Sequence, residues 1–270
     1  MHRRLAGSLA LVSLLATGCI VPENAKPDVA LGGTFATKFV HRGMTLVDNP
    51  VVQPKLAMEL PVVTGDRLGI SVEGNMDLRN DTGSAWFPDG HAGRFSQVEM
   101  QVAYTKKIGE ITFTGGWHDY ILPNGLEFVN GERGETKEVF LLASATVLEA
   151  NPYLSMHYDY DEVRGAYYRG GIREDIPLGK LFDRELRIDL DGSAGYVSQA
   201  QGSWMYGLGE AGFADLRGEI VAKWQYDART QISVGMHGSL ILDSTIDSWF
   251  RDLGIDDDPI WFTAGVGWAF

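Results

Sequence analysis

In the segment "TQISVGMHGSLIL", His237 and Ser239 lie two residues apart, so an extended strand puts the imidazole and the hydroxyl on one face. There the ring nitrogen could take the serine proton and arm the oxygen for attack on an ester. That face also carries Gln231 and Ser233, whereas Ile232, Val234, Met236, Leu240 and Leu242 point the other way. The pair therefore sits on the water-facing side, and a hydrogen-bonding role is expected in place of catalysis. "HYDYDE" aligns His157, Asp159 and Asp161, with Glu162 beyond them, as oxygen and nitrogen groups able to hold a cation, but the expected role is a polar wall running into a loop. Asp256, Asp257 and Asp258 match no complete calcium loop. Gly207, Gly209 and Gly212 satisfy a dinucleotide-type glycine spacing but precede a strand, whereas that fingerprint follows one and opens a helix. His118 and Asp119 are adjacent, so a strand would point them to opposite faces. No enzyme, cofactor or metal site is expected.

The constellation with most content is one of charge. Arg187, Asp189 and Asp191 alternate along one segment, and Asp215, Arg217, Glu219 and Lys223 along the next, with Glu73, Asp77 and His237 on other wet faces. Cross-strand ladders of opposite charge follow if the two segments pair. Such a set can line a channel that selects polar solutes, or it can form a salt-bridged plug that stiffens a closed barrel.

The elements that position these residues are strands. Alternation over about ten residues recurs, most clearly in "RLGISVEGNMDLR", where Leu68, Ile70, Val72, Met76 and Leu78 oppose Ser71, Glu73, Asn75 and Asp77. Twelve segments follow this rhythm, near 33–42, 52–63, 67–79, 95–106, 110–121, 136–147, 152–161, 165–175, 185–197, 213–226, 229–242 and 259–270. The glycine pairs Gly115–Gly116 and Gly170–Gly171 shift the pattern and predict bulges. Connections such as "TGD", "KKIGE" and "DAR" are short, whereas those near 80–94, 122–135, 198–212 and 243–258 are long. Tyr104, Tyr153, Tyr160, Trp224, Tyr226, Phe262, Trp268 and Phe270 stand at the ends of the oily faces. Aromatic girdles, short turns on one rim and long loops on the other, and an even strand number describe a closed antiparallel transmembrane β-barrel of twelve strands, an all-β fold. A soluble lipid-anchored barrel that binds a ligand shares the periodicity and is the competing architecture.

Thirty-three glycines with 12 Phe, 10 Tyr and 7 Trp suit turns and strands, and a net charge of −13 offers no basic surface for nucleic acid. The start, "MHRRLAGSLALVSLLATGC", has a basic head, a leucine-rich stretch and small residues before Cys19, the single cysteine, which is an export signal. The run Leu15-Ala16-Thr17-Gly18-Cys19 resembles the lipobox of bacterial lipoproteins, which implies that Cys19 is acylated. The division expected is a signal peptide over 1–18, a tether over 19–31 and a barrel over 32–270.

Further resemblances follow. "FATKFVHRGMTLVDNPVVQPKLAMEL" resembles the first hairpin of the TorF-type porin family through Phe39, Arg42, Gly43, Thr45, Asp48, Asn49, Pro50 and Gln53, with Val40 and His41 interposed between Phe39 and Arg42 where that family has none. The final "WFTAGVGWAF" is similar to the closing strand that the outer-membrane assembly machinery reads, which implies a recognition role for Trp268 and Phe270. His237 and Ser239 resemble the His-x-Ser pair of outer-membrane phospholipases and lipid A deacylases, but lack the following Asn-Gly and face the wet side. The expectation is an outer-membrane, porin-like barrel for small hydrophilic solutes, in contact with membrane lipids and the barrel-assembly machinery. A plugged structural barrel, or a lipid hydrolase using His237 and Ser239, are the alternatives.

Overall fold

The computed structural model describes residues 26–62, 65–80, 87, 92–123, 135–147, 150–207 and 209–270. The signal segment and Cys19 lie outside the described residues. Fourteen strands run in chain order: β1 (Asp28–Ala36), β2 (Phe39–His41), β3 (Met44–Val47), β4 (Val51–Pro61), β5 (Arg67–Asp77), β6 (Phe95–Ile108), β7 (Ile111–Ile121), β8 (Glu135–Ala145), β9 (Asn151–Asp159), β10 (Ala166–Leu181), β11 (Arg184–Val197), β12 (Gly212–Gln225), β13 (Thr230–Ile241) and β14 (Ile260–Ala269). Among the described residues two helices interrupt the long connections, α1 (Gln199–Tyr206) and α2 (Ser244–Leu253).

Twelve of the strands form one closed antiparallel barrel in which β1 pairs with both β4 and β14. The register of the closing seam runs from Ala30↔Ala269 to Ala36↔Thr263, and the Phe270 amide donates to the Val29 carbonyl at 2.8 Å. Closure leaves no open edge, which is what a sheet in hydrocarbon requires. The outer face is apolar: Leu154, Ile172, Val234 and Ile260 are each more than half exposed. Tyr168, Tyr196 and Phe213 cluster at one rim, with ring centres 6.3 and 5.4 Å apart. Phe182, Trp224 and Tyr226 do so at the other, at 6.1 and 5.5 Å. An apolar band between two aromatic girdles is the outer surface of a membrane-spanning barrel. No helix among the described residues is long and apolar enough to cross a membrane.

Four features depart from the sequence reading. The wall begins at Asp28, inside the stretch read as tether, because Asp28 to Leu31 pair with Glu59 to Leu56. The segment read as a first strand over 33–42 leaves the wall after Ala36, and residues 39–47 return as the separate hairpin β2–β3. No register shift occurs at Gly115–Gly116 or Gly170–Gly171. Gly116 and Gly171 instead give room: a Cβ on Gly116 would stand 2.3 Å from the Val102 carbonyl oxygen and 2.7 Å from the Phe140 ring, and one on Gly171 2.7 Å from the Gly192 carbonyl oxygen. Finally, Tyr153 is not part of the outer girdle. Its strand sends Leu154, Met156 and Tyr158 outward, so Tyr153 shares the inner face with Ser155 and His157, and its hydroxyl donates to Asp191 at 3.0 Å.

The closely spaced strand ends 61/67, 108/111, 145/151, 181/184 and 225/230 define a short-turn rim, where β1 starts and β14 ends. The opposite rim carries the longer connections, and it is there that the buried core lies. Phe39, Met44, Leu46 and Val47 of the hairpin pack with Phe87, with Met205 and Tyr206 of α1, and with Ile246 and Phe250 of α2. Asp243 caps α2 by accepting from the Thr245 and Ile246 amides at 2.8 and 3.3 Å, and the four-residue spacing of Ile246 and Phe250 turns both to the core. Each such side chain contributes about 1.5–3 kcal/mol on burial. The apolar residues of the hairpin thus serve as a soluble-type core inside the barrel mouth.

Candidate functional site: the lumen beneath the inward hairpin

The hairpin reverses at Arg42 (φ 49°) and Gly43 (φ 83°), two consecutive left-handed residues of the kind that a two-residue turn between twisted strands requires. Gly43 is also forced by contact, since a Cβ there would lie 2.6 Å from the Cβ of Asp215. The turn is held by the wall. The Arg42 Nη2 donates to Glu138 Oε2 at 2.5 Å, with both side chains buried. The Tyr206 hydroxyl donates to the Arg42 carbonyl at 2.7 Å, and the guanidinium lies 4.7 Å from the centre of the Tyr167 ring. At the base, Lys38 bridges Asp48 at 2.8 Å and Asp256 at 2.5 Å. Burial, together with the neighbouring Arg42 cation, holds the His41 imidazole well below its ordinary pKa, so the tip presents one neutral ring and one permanent cation.

Among the described residues His41 lines three cavities around this tip. One of about 460 Å³ lies under the loop-side core between Phe87, Trp204 and Trp249. The others flank the tip in the lumen. One, of about 400 Å³, runs past Gln53, Glu73, Glu99, Arg217 and His237. The other, of about 330 Å³, runs past Arg42, Arg169, Arg173 and Tyr153.

Of the charges singled out from sequence, Glu73, Arg217 and His237 line these chambers, and the pairing within the set is not the direct ladder expected. The register sets Arg187 opposite Lys223 and Asp191 opposite Glu219, like facing like. Neutralisation is therefore diagonal or comes from other strands. Lys223 reaches Asp189 at 2.5 Å, Arg187 reaches Asp175 at 3.1 Å, and Arg173 reaches Asp191 at 3.0 Å. Arg217 meets Glu219 at 2.6 Å along its own strand, and Lys55 meets Glu73 at 2.9 Å in true cross-strand register. Asp215 is fully buried, accepting from the Tyr167 hydroxyl at 2.9 Å beside Arg169 at 3.6 Å. Asp77 is fully buried at the loop end of β5. The partners Glu138, Arg169, Arg173 and Asp175 were not singled out from the sequence, where the inward parity of β8 and β10 was the available signal; Arg42 was named only as part of the porin-hairpin motif.

His237 and Ser239 do not form an activated pair. The His237 Nε2 lies 2.9 Å from the Thr263 hydroxyl, its Nδ1 lies 3.5 Å from Glu219, and the ring stacks on Trp261 at 5.2 Å. The Ser239 hydroxyl donates to the Leu216 carbonyl at 3.3 Å. The other suggestive groups have partners within the chain. His157 faces Glu138 at 3.6 Å, Asp159 accepts from the Asp161 and Val163 amides at 3.0 Å each, and Asp161 pairs with Lys137 at 2.9 Å. His118 meets Glu99 at 2.5 Å. In the acidic triplet Asp256 pairs with Lys38, and Asp257 pairs with Arg251 at 3.0 Å. Gly207 caps α1 in the left-handed conformation, so the glycine-spaced stretch follows a helix and precedes a strand. Trp268 and Phe270 both stand at the short-turn rim.

No family model matches the sequence, and no curated protein matches it. Among solved structures, a KdgM porin in complex with disordered oligogalacturonate is similar with a TM-score of 0.48 and 9% identity over 90% of this chain and 99% of that one. The COG4313 outer membrane channel from Pseudomonas putida F1 is similar with a TM-score of 0.48 and 10% identity over 93% and 97%. The toluene transporter TodX from Pseudomonas putida has a TM-score of 0.41 and 10% identity over 97% and 93%.

Proposed function

We propose that this chain is a porin-like outer-membrane barrel through which small hydrophilic solutes diffuse passively, with the hairpin tip as its constriction. The observation that carries the reading is the pair of chambers, about 400 and 330 Å³, that flank the tip inside a wall of fixed charges. Fixed charges replace part of a solute's hydration without a chemical step, and their pairing keeps any one of them from holding the solute too tightly. The apolar cluster at the loop-side mouth favours a second reading, a plugged structural barrel. Conductance of the refolded protein in a planar bilayer separates them. Discrete ion steps are expected, and a silent membrane at every salt concentration would remove the conduit and leave the plug.

The reading includes an acyl anchor on Cys19 and an assembly signal at Trp268 and Phe270, with membrane lipids and the assembly machinery as partners. From Cys19 to Asp28 an extended chain reaches about 30 Å at most, which keeps the anchor close to the rim where β1 starts. Cells expressing the full chain are expected to yield a lipid-modified peptide beginning at Cys19. Deletion of Phe270, which removes the amide bonded to Val29, is expected to lower the inserted fraction several-fold. An unmodified Cys19 removes the anchor, and normal insertion of the shortened chain removes the signal.

A further inference from the structure

The two chambers beside the hairpin differ in charge. The one along β6 to β10 is lined by Arg42, Arg169 and Arg173, by Arg217 reaching in from β12, and, among the described residues, by no carboxylate. Its walls also carry the imidazoles of His41, His118 and His157. The chamber on the other side includes Glu73 and Glu99. In a chain of net charge −13, four arginines converging on one cavity are a local construction and not an average property.

The counter-charges stand outside this cavity lining. Glu138 holds Arg42 at 2.5 Å, Asp215 stands 3.6 Å from Arg169, Asp191 holds Arg173 at 3.0 Å and Glu219 holds Arg217 at 2.6 Å. A guanidinium has five N–H donors in a planar fork, and a single carboxylate takes two at most. The pairs therefore fix the arginines in place while leaving donors on each guanidinium that these carboxylates do not use. The Tyr167 hydroxyl, which accepts from Arg169 Nε and Nη2 at 3.1 and 2.8 Å, further sets that side chain's direction. Flat rings complete the wall: Tyr120, Phe140, Tyr153 and Tyr167 line the same space, and Arg173 lies 5.3 Å from the centre of the Tyr153 ring. A volume of about 330 Å³ is at the lower end of small-molecule sites, enough for one ring and its substituents.

We propose that this arginine-lined chamber binds small ring-bearing organic carboxylates, the anionic group meeting the guanidinium donors and the ring lying against the tyrosines. The proposal rests on the conduit reading for the route by which such a solute arrives, and it names the solute class that the conduit favours. Binding is read by fluorine NMR on the refolded barrel in detergent, with 4-fluorobenzoate as the probe and 4-fluorobenzamide as a neutral molecule of the same shape. The carboxylate is expected to bind at least about tenfold more tightly than the amide. Arg169→Gln combined with Arg173→Gln should remove that preference, whereas Arg187→Gln, whose partner is Asp175 outside the chamber lining, should leave it. Arg173→Glu alone, on a half-exposed side chain, carries the test should the double variant fail to fold. Equal binding of the two probes, no binding to the folded barrel, or unchanged affinity in Arg173→Glu would overturn the proposal. Carboxylate binding by a barrel that passes no ions would support the chamber and remove the conduit; ion steps without carboxylate preference would do the reverse.

Discussion

Replacing residues 39–47 by a short Gly-Ser link is expected to raise single-channel conductance about threefold or more, because the tip that divides the lumen is gone. The wall should survive the change. β1 and β4 pair without interruption as far as Ala36↔Val51, and none of those wall pairings uses the hairpin. A twelve-stranded barrel lies between sizes whose interior is filled by side chains and sizes that leave an aqueous channel, so an inserted hairpin decides which regime applies. What the deletion removes is Arg42 from Glu138, and Phe39, Met44, Leu46 and Val47 from the loop-side core. Conductance at the level of the intact chain, from a barrel that still resists unfolding in detergent unless heated, would show that the hairpin is not the constriction.

Glu138→Ala should free the hairpin without removing any of it. The Arg42 guanidinium would remain at the centre of the lumen with its carboxylate gone, and an uncompensated buried charge costs about 3–5 kcal/mol. Tyr120 and His157, which stand 3.4 and 3.6 Å from Glu138, offer no replacement anion. If the hairpin's other contacts, the Tyr206 bond among them, leave its docking weaker than that cost, the populations of docked and released hairpin shift by roughly two orders of magnitude or more. Chymotrypsin cleavage at Phe39 and Leu46 reads the released form directly. The double variant Arg42→Met with Glu138→Leu should regain protection, since a buried pair replaced by packed apolar groups is often neutral or better. Cleavage of Glu138→Ala no faster than that of the parent chain would show that the ion pair does not hold the hairpin.

The strands were legible because their signal is local. Alternation with a period of two is written within ten residues, and it set Asp189, Arg217, Lys223 and His237 opposite the oily residues of their own segments without knowledge of their neighbours. The same parity, applied from His157, puts Tyr153 inside; reading Tyr153 as a girdle residue weighted its ring over its position. The helix α2 was missed: Asp243 followed by Ile246 and Phe250 carried its signal, but the segment was read only as a long connection. The register of β11 against β12 was not legible. Alternation is unchanged when a strand slides by two residues, so it could not say that Arg187 faces Lys223 and must find Asp175 instead.

By itself, then, the sequence determined a twelve-stranded barrel with an apolar outside, a charged inside and an aromatic closing strand that bonds to β1. These follow from side-chain order along single strands. Only the tertiary structure decided that residues 39–47 fold inward, that the mouth is filled by an apolar core and that four arginines converge on one chamber. Arg42 meets Glu138 across 96 residues of chain and Tyr206 across 164. Contacts of that separation leave no periodic trace in the segments that make them, because what selects them is the space enclosed once the barrel has closed.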